Sequence, residues 1–222
     1  MTKIYIVRHC EAFGNVAKLF QGVSDFDITE SGAEQLKFLT KRFEDIDIDK
    51  VYTSPLIRTQ KTARAVIGTK KLEPVIFDGL IEFNGGIIEG KPFIESCKKY
   101  PLLSDAWTNP PEDFAPENGD SMQGAYERIW NAVKNIASEN EGKTVVCTSH
   151  GGVIRCLLCR VSYNDITKLR TVPFSGNTAV SLIEFDDNLK PNLIFANDIS
   201  HIPQDYLDKM TPVITSVSEA DK

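Results

Sequence analysis

Residues 3–15 read KIYIVRHCEAFGN, an apolar run that ends directly in an arginine and a histidine. A second apolar run, VVC at 145–147, is followed closely by His150 and Gly151. The chain has three histidines, and two of them therefore close strand-like segments. Because the carboxyl ends of strands form the rim where α/β proteins bind ligands, His9 and His150 are predicted to meet across one crevice. An imidazole in such a place can act as a nucleophile.

The rest of the chain alternates strand-like and helix-like segments. Strands are predicted at about 3–7, 51–53, 75–77, 144–147, 179–185 and 193–196. Apolar residues spaced three and four apart predict helices after Thr29, between Pro55 and Gly68, from about Ser121 and after Gly152. This alternation predicts an α/β fold, a three-layer sandwich in which helices flank a mostly parallel central sheet.

One segment interrupts the alternation. Residues 84–120 are rich in glycine, proline and acids, and they carry scattered aromatics, Phe93, Tyr100, Trp107 and Phe114. We interpret this segment as a small inserted lid within a single domain, 1–222, because long insertions in compact domains often serve function. A solvated surface excursion is the alternative. Residues 211–222 are predicted to form a flexible tail.

Composition limits the partners that this chain can have. Its 41% apolar residues are enough for a core, and its net charge of −6 disfavours general binding to nucleic acid or to a membrane surface. No apolar run approaches the roughly 18 residues of a membrane span, and no leader precedes the first strand. Five cysteines, an odd count, favour reduced thiols over a disulfide framework. We therefore expect a cytoplasmic protein, and a homodimer is compatible with the sequence.

Two arginines are predicted to lie at the same rim as the histidines. Arg8 ends the first strand, and Arg58 lies in the first turn of the helix that follows the strand at 51–53. A guanidinium offers a planar fork of donors that matches phosphate oxygens. Together with a protonated His150, two arginines can neutralise the charge of a transferring phosphoryl group without a metal or another cofactor.

Neutral groups complete the candidate phosphate site. Asn15, Gln21 and Gly22 lie on the loop after the first strand, and Gly151 follows the second histidine. Side-chain amides and backbone N–H groups can donate hydrogen bonds to an anion. The predicted partner is a small-molecule phosphate ester.

Six pieces of the sequence together resemble the histidine phosphatase superfamily, also called the phosphoglycerate mutase-like family. In family order they are IYIVRHCEAFGN (4–15), FQGVSDFDITESGAEQ (20–35), VYTSPLIRTQKTA (51–63), LIEFNGGIIEGK (80–91), NGDS (118–121) and VVCTSHGGVIR (145–155). The resemblance spans nearly the whole chain, and six pieces in this order make a specific signal. It implies a mostly parallel sheet between helices, with the inserted segment over the pocket.

The resemblance also implies a two-step mechanism. His9, the first-motif histidine, would attack phosphorus and become a phosphohistidine, while Glu82 would protonate the leaving oxygen and then activate water. Arg8, Arg58 and His150 would hold the phosphoryl group. The expected activity is metal-independent hydrolysis of phosphate monoesters, that of a histidine acid phosphatase-like hydrolase.

Several positions depart from the family pattern. Cys10 replaces the glycine that usually follows the histidine, and Ile81 replaces an arginine often found before the acid. Ile88 replaces a common tryptophan, and Leu19 stands where an arginine is frequent. Because the proposed nucleophile, acid, arginines and second histidine are all present, we interpret these changes as altered substrate preference. A catalytically silent phospholigand binder is the alternative that Cys10 and Ile81 leave open.

A phosphoglycerate mutase-type phosphoryl transfer is a further alternative. Mutases that resemble this chain carry an arginine pair in the inserted segment, whereas no arginine occurs here between Arg64 and Arg128. A partly aromatic lid with Phe93, Trp107 or Phe114 suits phosphate esters of diverse or hydrophobic alcohols. The sequence therefore favours a phosphatase over an isomerase.

Other motifs are weaker in context. Residues 25–29, DFDIT, match a signature of haloacid dehalogenase-like phosphatases, which need magnesium, but Thr29 is better explained as a helix cap. Cys156 and Cys159 have redox spacing, yet they lie in an apolar helical stretch, which favours burial. His201 follows the last strand on a polar segment and is a weaker candidate for the pocket.

Overall fold

A computed structural model describes residues 1–108, 110–208 and 210. Its centre is a six-stranded sheet of β1 (Thr2–Arg8), β2 (Lys50–Thr53), β3 (Val75–Ile76), β4 (Thr144–Ser149), β5 (Val180–Phe185) and β6 (Pro191–Asp198). The strand order is β3-β2-β4-β1-β5-β6. The first four strands are parallel to one another, whereas β5 is antiparallel to both β1 and β6. The prediction of a mostly parallel sheet is confirmed.

Helices flank this sheet. They are α1 (Phe13–Val16), α2 (Glu30–Phe43), α3 (Ile57–Ile67), α4 (Phe93–Lys99), α5 (Pro101–Thr108), α6 (Met122–Glu139), α7 (Gly151–Tyr163) and α8 (Gln204–Leu207). Short 3-10 helices occur at Asp78–Leu80, Gly86–Ile88, Pro111–Asp113 and Ile166–Thr171. The four longest helices, α2, α3, α6 and α7, are those that the apolar spacing predicts.

Side chains of the strands alternate between two cores. Ile4 and Ile6 lie in a core with apolar residues of α6 and α7, whereas Val7 lies in a second core with Leu39 of α2 and Val66 of α3. The alternation follows from the two-residue repeat of a β-strand. Helices therefore cover both faces of the sheet, which gives the three-layer sandwich that the sequence predicts.

Local signals account for where the main helices begin and end. Thr29 Oγ1 accepts a hydrogen bond from Gly32 N at 2.9 Å, and Ser121 Oγ accepts one from Gly124 N at 3.0 Å. Each residue is a helix N-cap. Gly68 has a φ of +57° where α3 ends, a conformation that favours glycine. The DFDIT segment thus ends in a helix cap, as expected.

The described residues of the segment 84–120 contain helices and turns and no strand of the sheet: α4, α5 and two of the 3-10 helices lie in it. Residues 211–222, expected to form a tail, lie outside the described residues. Within the part of the chain that the structure describes, no helix is long and apolar enough to cross a lipid bilayer.

Parallel pairing of β1 with β4 places the candidate site. The register pairs Arg8 with Ser149, so the next residue on each strand is a histidine. His9 N donates a hydrogen bond to Ser149 O at 3.0 Å. On the other side of β4, Thr53 of β2 pairs with Thr148, so the turn that leads into α3 starts at the same edge. The carboxyl ends of three neighbouring strands therefore meet, which is where α/β proteins bind ligands.

Candidate active site

A cavity of about 140 Å³ lies at this edge of the sheet. Every predicted site residue except His150 lines it: Arg8, His9, Asn15, Gln21, Gly22, Arg58, Glu82 and Gly151. His150 is buried beside His9, and the centroids of the two rings are 5.2 Å apart. The structure thus brings together residues that are far apart in the sequence: Arg8 and Gly151 are separated by 143 positions.

His9 presents one free ring nitrogen. Its Nδ1 lies 2.7 Å from the carbonyl oxygen of Cys10, and because a carbonyl only accepts, Nδ1 carries the proton. Nε2 is then an unprotonated nitrogen. Burial and the nearby charges of Arg58 and Arg8 hold the pKa of His9 well below 6.5. His9 is therefore neutral near neutral pH, the state that a nucleophilic imidazole needs.

Two arginines beside His9 are buried cations with spare donors. Arg8 Nη1 donates to Ser175 O at 2.5 Å, and Arg58 donates from Nη1 to Ser24 O at 2.7 Å and from Nη2 to Gly22 O at 2.8 Å. Among the described residues, the buried Nε of each arginine has no partner. Burial lowers the pKa of both guanidinium groups to about 10. An anion between them would offset the cost of burying these charges.

His150 supports the site from behind His9. Its Nε2 lies 2.7 Å from Ser54 Oγ, while its buried Nδ1 has no partner in the described part of the chain. Burial and the charges of Arg58 and Arg8 hold the pKa of His150 well below 6.5. This shift favours the neutral ring, whereas the sequence predicts a protonated ring beside a bound phosphoryl group. A phosphoryl dianion beside it would favour protonation.

Glu82 is held by the first turn of α7. Its Oε2 accepts a hydrogen bond from Gly152 N at 2.8 Å, and its Oε1 accepts from Val153 N at 3.0 Å and Phe83 N at 3.2 Å. Burial raises the pKa of the carboxyl above the usual 4.5, and the backbone N–H groups and Arg58 oppose that rise. A carboxyl whose pKa is raised toward neutrality can donate a proton and later take one back.

Two glycines at the start of α7 make room for these groups. A Cβ on Gly151 would lie 3.2 Å from Arg8 Nε. A Cβ on Gly152 would lie 2.8 Å from Glu82 Oε1 and 2.4 Å from a ring carbon of Phe83. A side chain at either position would displace the arginine or the acid. The GG pair therefore permits the close approach of Arg8 and Glu82 to the start of α7.

The neutral residues of the predicted phosphate site differ in their bonds. Asn15 Oδ1 accepts from Ala12 N at 2.9 Å, which leaves its Nδ2 as the group that can face an anion. Gln21 Oε1 is buried without a partner among the described residues. Gly22 accepts a hydrogen bond from Arg58 through its carbonyl oxygen and so positions the arginine.

Within the described residues, no three His, Cys, Asp or Glu side chains are grouped to hold a metal ion.

The departures from the family pattern lie around the cavity. Cys10 is fully buried and does not line it; burial raises the pKa of its thiol to about 12. Ile88 is 2% exposed and belongs to the main core. The carbonyl of Ile81 accepts a hydrogen bond from Arg128 of α6, which holds the loop that carries Glu82. These contacts leave the ring of His9 and the cavity unobstructed.

His201 lies outside the cavity. Its Nδ1 is 3.1 Å from Arg42 Nη1 and its Nε2 is 3.2 Å from Thr178 Oγ1. Burial, together with the charge of Arg42, lowers its pKa to about 4. It therefore contacts the site indirectly, through Thr178, whose backbone N donates to His9 O at 3.3 Å.

The residues just before β5 also lie at the site, although the sequence does not predict them there. Asn177 Nδ2 donates to His9 O at 3.1 Å, and both Asn177 and Phe174 line the cavity. Because β5 is antiparallel to β1, the residues that precede it, and not those that follow it, lie at the site. The polar run SGNT at 175–178, directly before an apolar strand, is a local signal at these positions, but only the direction of β5 assigns it to this site.

Replacing Asn177 with alanine is expected to lower kcat roughly tenfold, because the buried carbonyl of His9 loses a hydrogen bond and the ring loses a constraint on its orientation. KM should change less, since the arginines remain. Steady-state kinetics together with thermal unfolding will test this. The exposed Asn192, changed to alanine, is the matched control. A fall in thermal stability with unchanged kcat would show that Asn177 is structural only.

Comparison with known proteins gives concordant results. The family model described as histidine phosphatase superfamily (branch 1) matches residues 4–198. Phosphoserine phosphatase 1 of Hydrogenobacter thermophilus is 29% identical over 209 residues, which cover 94% of this chain and 98% of that protein. Probable phosphoglycerate mutase GpmB of Yersinia pestis is 30% identical over 158 residues, 71% of this chain and 74% of that protein. The solved structure of Bacillus stearothermophilus YhfR is 30% identical, with a TM-score of 0.87, over 91% of this chain and 100% of that one.

Proposed function

The chain belongs to the histidine phosphatase superfamily, branch 1, and from this membership we propose which of its residues hydrolyse the ester. Phosphohistidine-mediated hydrolysis of phosphate monoesters is the reaction of this enzyme. In our proposal His9 is the nucleophile and Glu82 is the general acid and base. Arg8, Arg58 and His150 hold the phosphoryl group, and Asn15, Gln21, Gly22 and Gly151 complete its pocket.

In the first step, His9 Nε2 attacks phosphorus and the bond from phosphorus to the ester oxygen breaks. The proton of the Glu82 carboxyl goes to the departing oxygen, so the product leaves as an alcohol. Nδ1 of His9 keeps its proton throughout, because it donates a hydrogen bond to the carbonyl oxygen of Cys10, 2.7 Å away. The guanidinium groups stabilise the charge on the oxygens of the transferring group.

In the second step, the Glu82 carboxylate takes a proton from water, and the water oxygen attacks phosphorus. The bond between phosphorus and His9 Nε2 breaks, which returns its electron pair to the ring and releases inorganic phosphate. Glu82 is protonated again and His9 is neutral again. A carboxyl with a raised pKa suits both steps, because its proton is neither too tightly nor too weakly held near neutral pH.

One observation carries this proposal: two buried guanidinium groups, whose Nε atoms have no partner among the described residues, lie beside an imidazole that is bonded through Nδ1 and lines the cavity. Buried cations with spare donors need an anion of matching geometry. A phosphoryl group fits the fork of each arginine and presents an electrophilic phosphorus to His9. This arrangement supports phosphoryl transfer over general binding of a carboxylate.

A mutase reaction is the second candidate, because one relative is named as a probable phosphoglycerate mutase. Such an enzyme would return the phosphoryl group to a bound acid instead of to water. Among the described residues that line the cavity, one lysine, Lys18, is present besides Arg8 and Arg58, and no further arginine. One flexible cation offers less hold on a substrate carboxylate than an arginine pair does.

A panel of phosphate esters will test the proposal. The purified protein is expected to release phosphate in the presence of EDTA, and a phosphorus-labelled ester should leave label on His9. Phosphoglycerate isomers should interconvert slowly or not at all, even with a bisphosphorylated primer. Primed interconversion faster than phosphate release would favour the mutase, and phosphate release without any labelled histidine would contradict the phosphohistidine route.

We also propose a cytoplasmic location and an inserted lid at 84–120 within one domain. The cysteines of the described residues, Cys10, Cys97, Cys147, Cys156 and Cys159, are free and buried, which supports a reducing compartment. Phe93 and Trp107 of the inserted segment line the cavity, which supports its role as a lid. A homodimer is testable by the mass of the protein in solution.

A further inference from the structure

The far side of the cavity is aromatic. We use the name aromatic wall for its five lining rings, Phe20, Phe83, Phe93, Trp107 and Phe174. Trp107 is the central member: its ring centroid lies 5.6 to 5.9 Å from those of the other four. Phe174 stacks on it at an interplanar angle of 22°. The wall and the phosphate pocket share one cavity, so the alcohol part of a bound ester lies against these rings.

The wall is held in place before any substrate binds. The guanidinium of Arg155, on α7, lies 4.3 Å from the centroid of Phe174, and its Nε donates to Val172 O at 2.7 Å. Phe83 and Phe93 are 1% and 8% exposed, so their rings are fixed by the surrounding core. A preformed apolar surface binds an apolar group without the cost of ordering side chains.

For a charged alcohol the cavity offers Lys18 as a cation and Gln21 Oε1 as a neutral acceptor without a partner among the described residues, but it offers no free carboxylate there. Phosphoserine carries an ammonium and a carboxylate, and each must exchange water for a protein group. The described lining residues include one carboxylate, that of Glu82. Its oxygens already accept three backbone hydrogen bonds. A buried ammonium would thus lack an acceptor of opposite charge. The relative named as a phosphoserine phosphatase does not by itself predict the substrate of this chain.

We propose that the substrates are phosphate monoesters of apolar, ring-bearing alcohols, and that Trp107 and Phe174 determine this specificity. The inference rests on the proposed function of the same site. The volume of about 140 Å³ is close to that of an engineered apolar cavity that holds one benzene, so a phosphoryl group and one ring exceed it and the ring lies at the cavity mouth.

Benzyl phosphate and O-phosphoserine test this inference, because both esters release an aliphatic alcohol and differ in the group that meets the wall. Wild-type kcat/KM is expected to be at least roughly tenfold higher for benzyl phosphate. Trp107→Ala and Phe174→Ala should each lower the benzyl value roughly tenfold, mainly through KM, while the phosphoserine value stays within about twofold. Trp107→Phe keeps a ring and should restore most of the benzyl activity.

Controls separate specificity from folding. Phe38 of α2 packs against Tyr206 outside the cavity, and Phe38→Ala is the matched loss of an aromatic ring. Competitive inhibition by inorganic phosphate should stay unchanged in every variant, because it reports on the arginine pocket alone. A variant that fails to fold would lose this inhibition. In that case the activity of Trp107→Phe on benzyl phosphate decides whether the ring at position 107 determines specificity.

The results distinguish the inference from the function on which it rests. If no ester leaves a phosphoryl group on His9, the proposed function fails. If phosphoserine labels His9 and is hydrolysed as well as or better than benzyl phosphate, the function stands and the inference is overturned. Equal losses on both esters in Trp107→Ala and Phe174→Ala would also overturn it.

Discussion

The His9→Ala variant is expected to hydrolyse phosphate monoesters roughly 10⁴-fold or more slowly than the wild type. The substitution removes the nitrogen proposed to attack phosphorus, and the neighbouring His150 is not placed to replace it, because His150 does not line the cavity. No phosphorus label should remain on the variant after it is mixed with a labelled ester. Kinetic assays and quenched labelling will measure both effects.

The pocket of His9→Ala should still bind its product. Arg8 and Arg58 remain, so inorganic phosphate is expected to raise the melting temperature of the variant as it does that of the wild type. This shift shows that the variant is folded and that the loss is chemical. Undiminished phosphate release would contradict the assignment. Label that persists in His9→Ala but disappears in His150→Ala would make His150 the nucleophile.

In Glu82→Gln, hydrolysis of alkyl phosphates is expected to fall by about 10² to 10⁴-fold, the usual contribution of a positioned acid. The loss should be smaller for formation of the phosphoenzyme from 4-nitrophenyl phosphate, because its leaving group departs without a proton. Water attack still needs the base, so a burst of nitrophenolate followed by slow turnover is expected. Stopped-flow absorbance will detect this burst.

The pH dependence should identify the same residue. Burial raises the pKa of Glu82, so its acid form persists to higher pH and kcat/KM falls only as the pH rises through that pKa. His9 has a pKa well below 6.5 and stays neutral, hence reactive, down to acidic pH. The maximum of kcat/KM is therefore expected between the pKa of His9 and that of Glu82. The basic limb should disappear in Glu82→Gln.

Two controls support this reading of the profile. The phosphate group of the substrate itself changes charge near pH 6, so any limb that survives in Glu82→Gln belongs to the substrate. Glu95 of α4 is exposed, and Glu95→Gln should leave the whole profile unchanged. An unaltered basic limb in Glu82→Gln, with normal turnover of alkyl esters, would assign the acid role to another group.

Much of this architecture could be predicted because its signals are local. An apolar run followed by a histidine occurs twice, at β1 and β4, and the two strands prove to be neighbours in the sheet. Thr29 and Ser121 cap helices through their own side chains, a property of the residue and of the three that follow it. Such features need no knowledge of distant parts of the chain.

The features of the site that the sequence does not predict depend on long-range geometry. No local pattern says that β5 runs against β1, so Asn177 and Phe174 could not be placed at the cavity from the sequence alone. The low pKa of His150 could not be predicted either, because its burial beside His9 and two guanidinium groups is a property of the folded site. Charge and burial become known only when the elements are packed.

The position of β1 in the sheet has a consequence for how the protein is made. β1 emerges first from the ribosome, yet its two neighbours in the sheet are β4 and β5, at residues 144–149 and 180–185. Synthesis proceeds at about 5 to 20 residues per second, so the apolar side chains of Ile4, Ile6 and Val7 wait seconds for their partners. The proposed nucleophile, His9, is thus translated early, and its site is complete only after β5 has been translated.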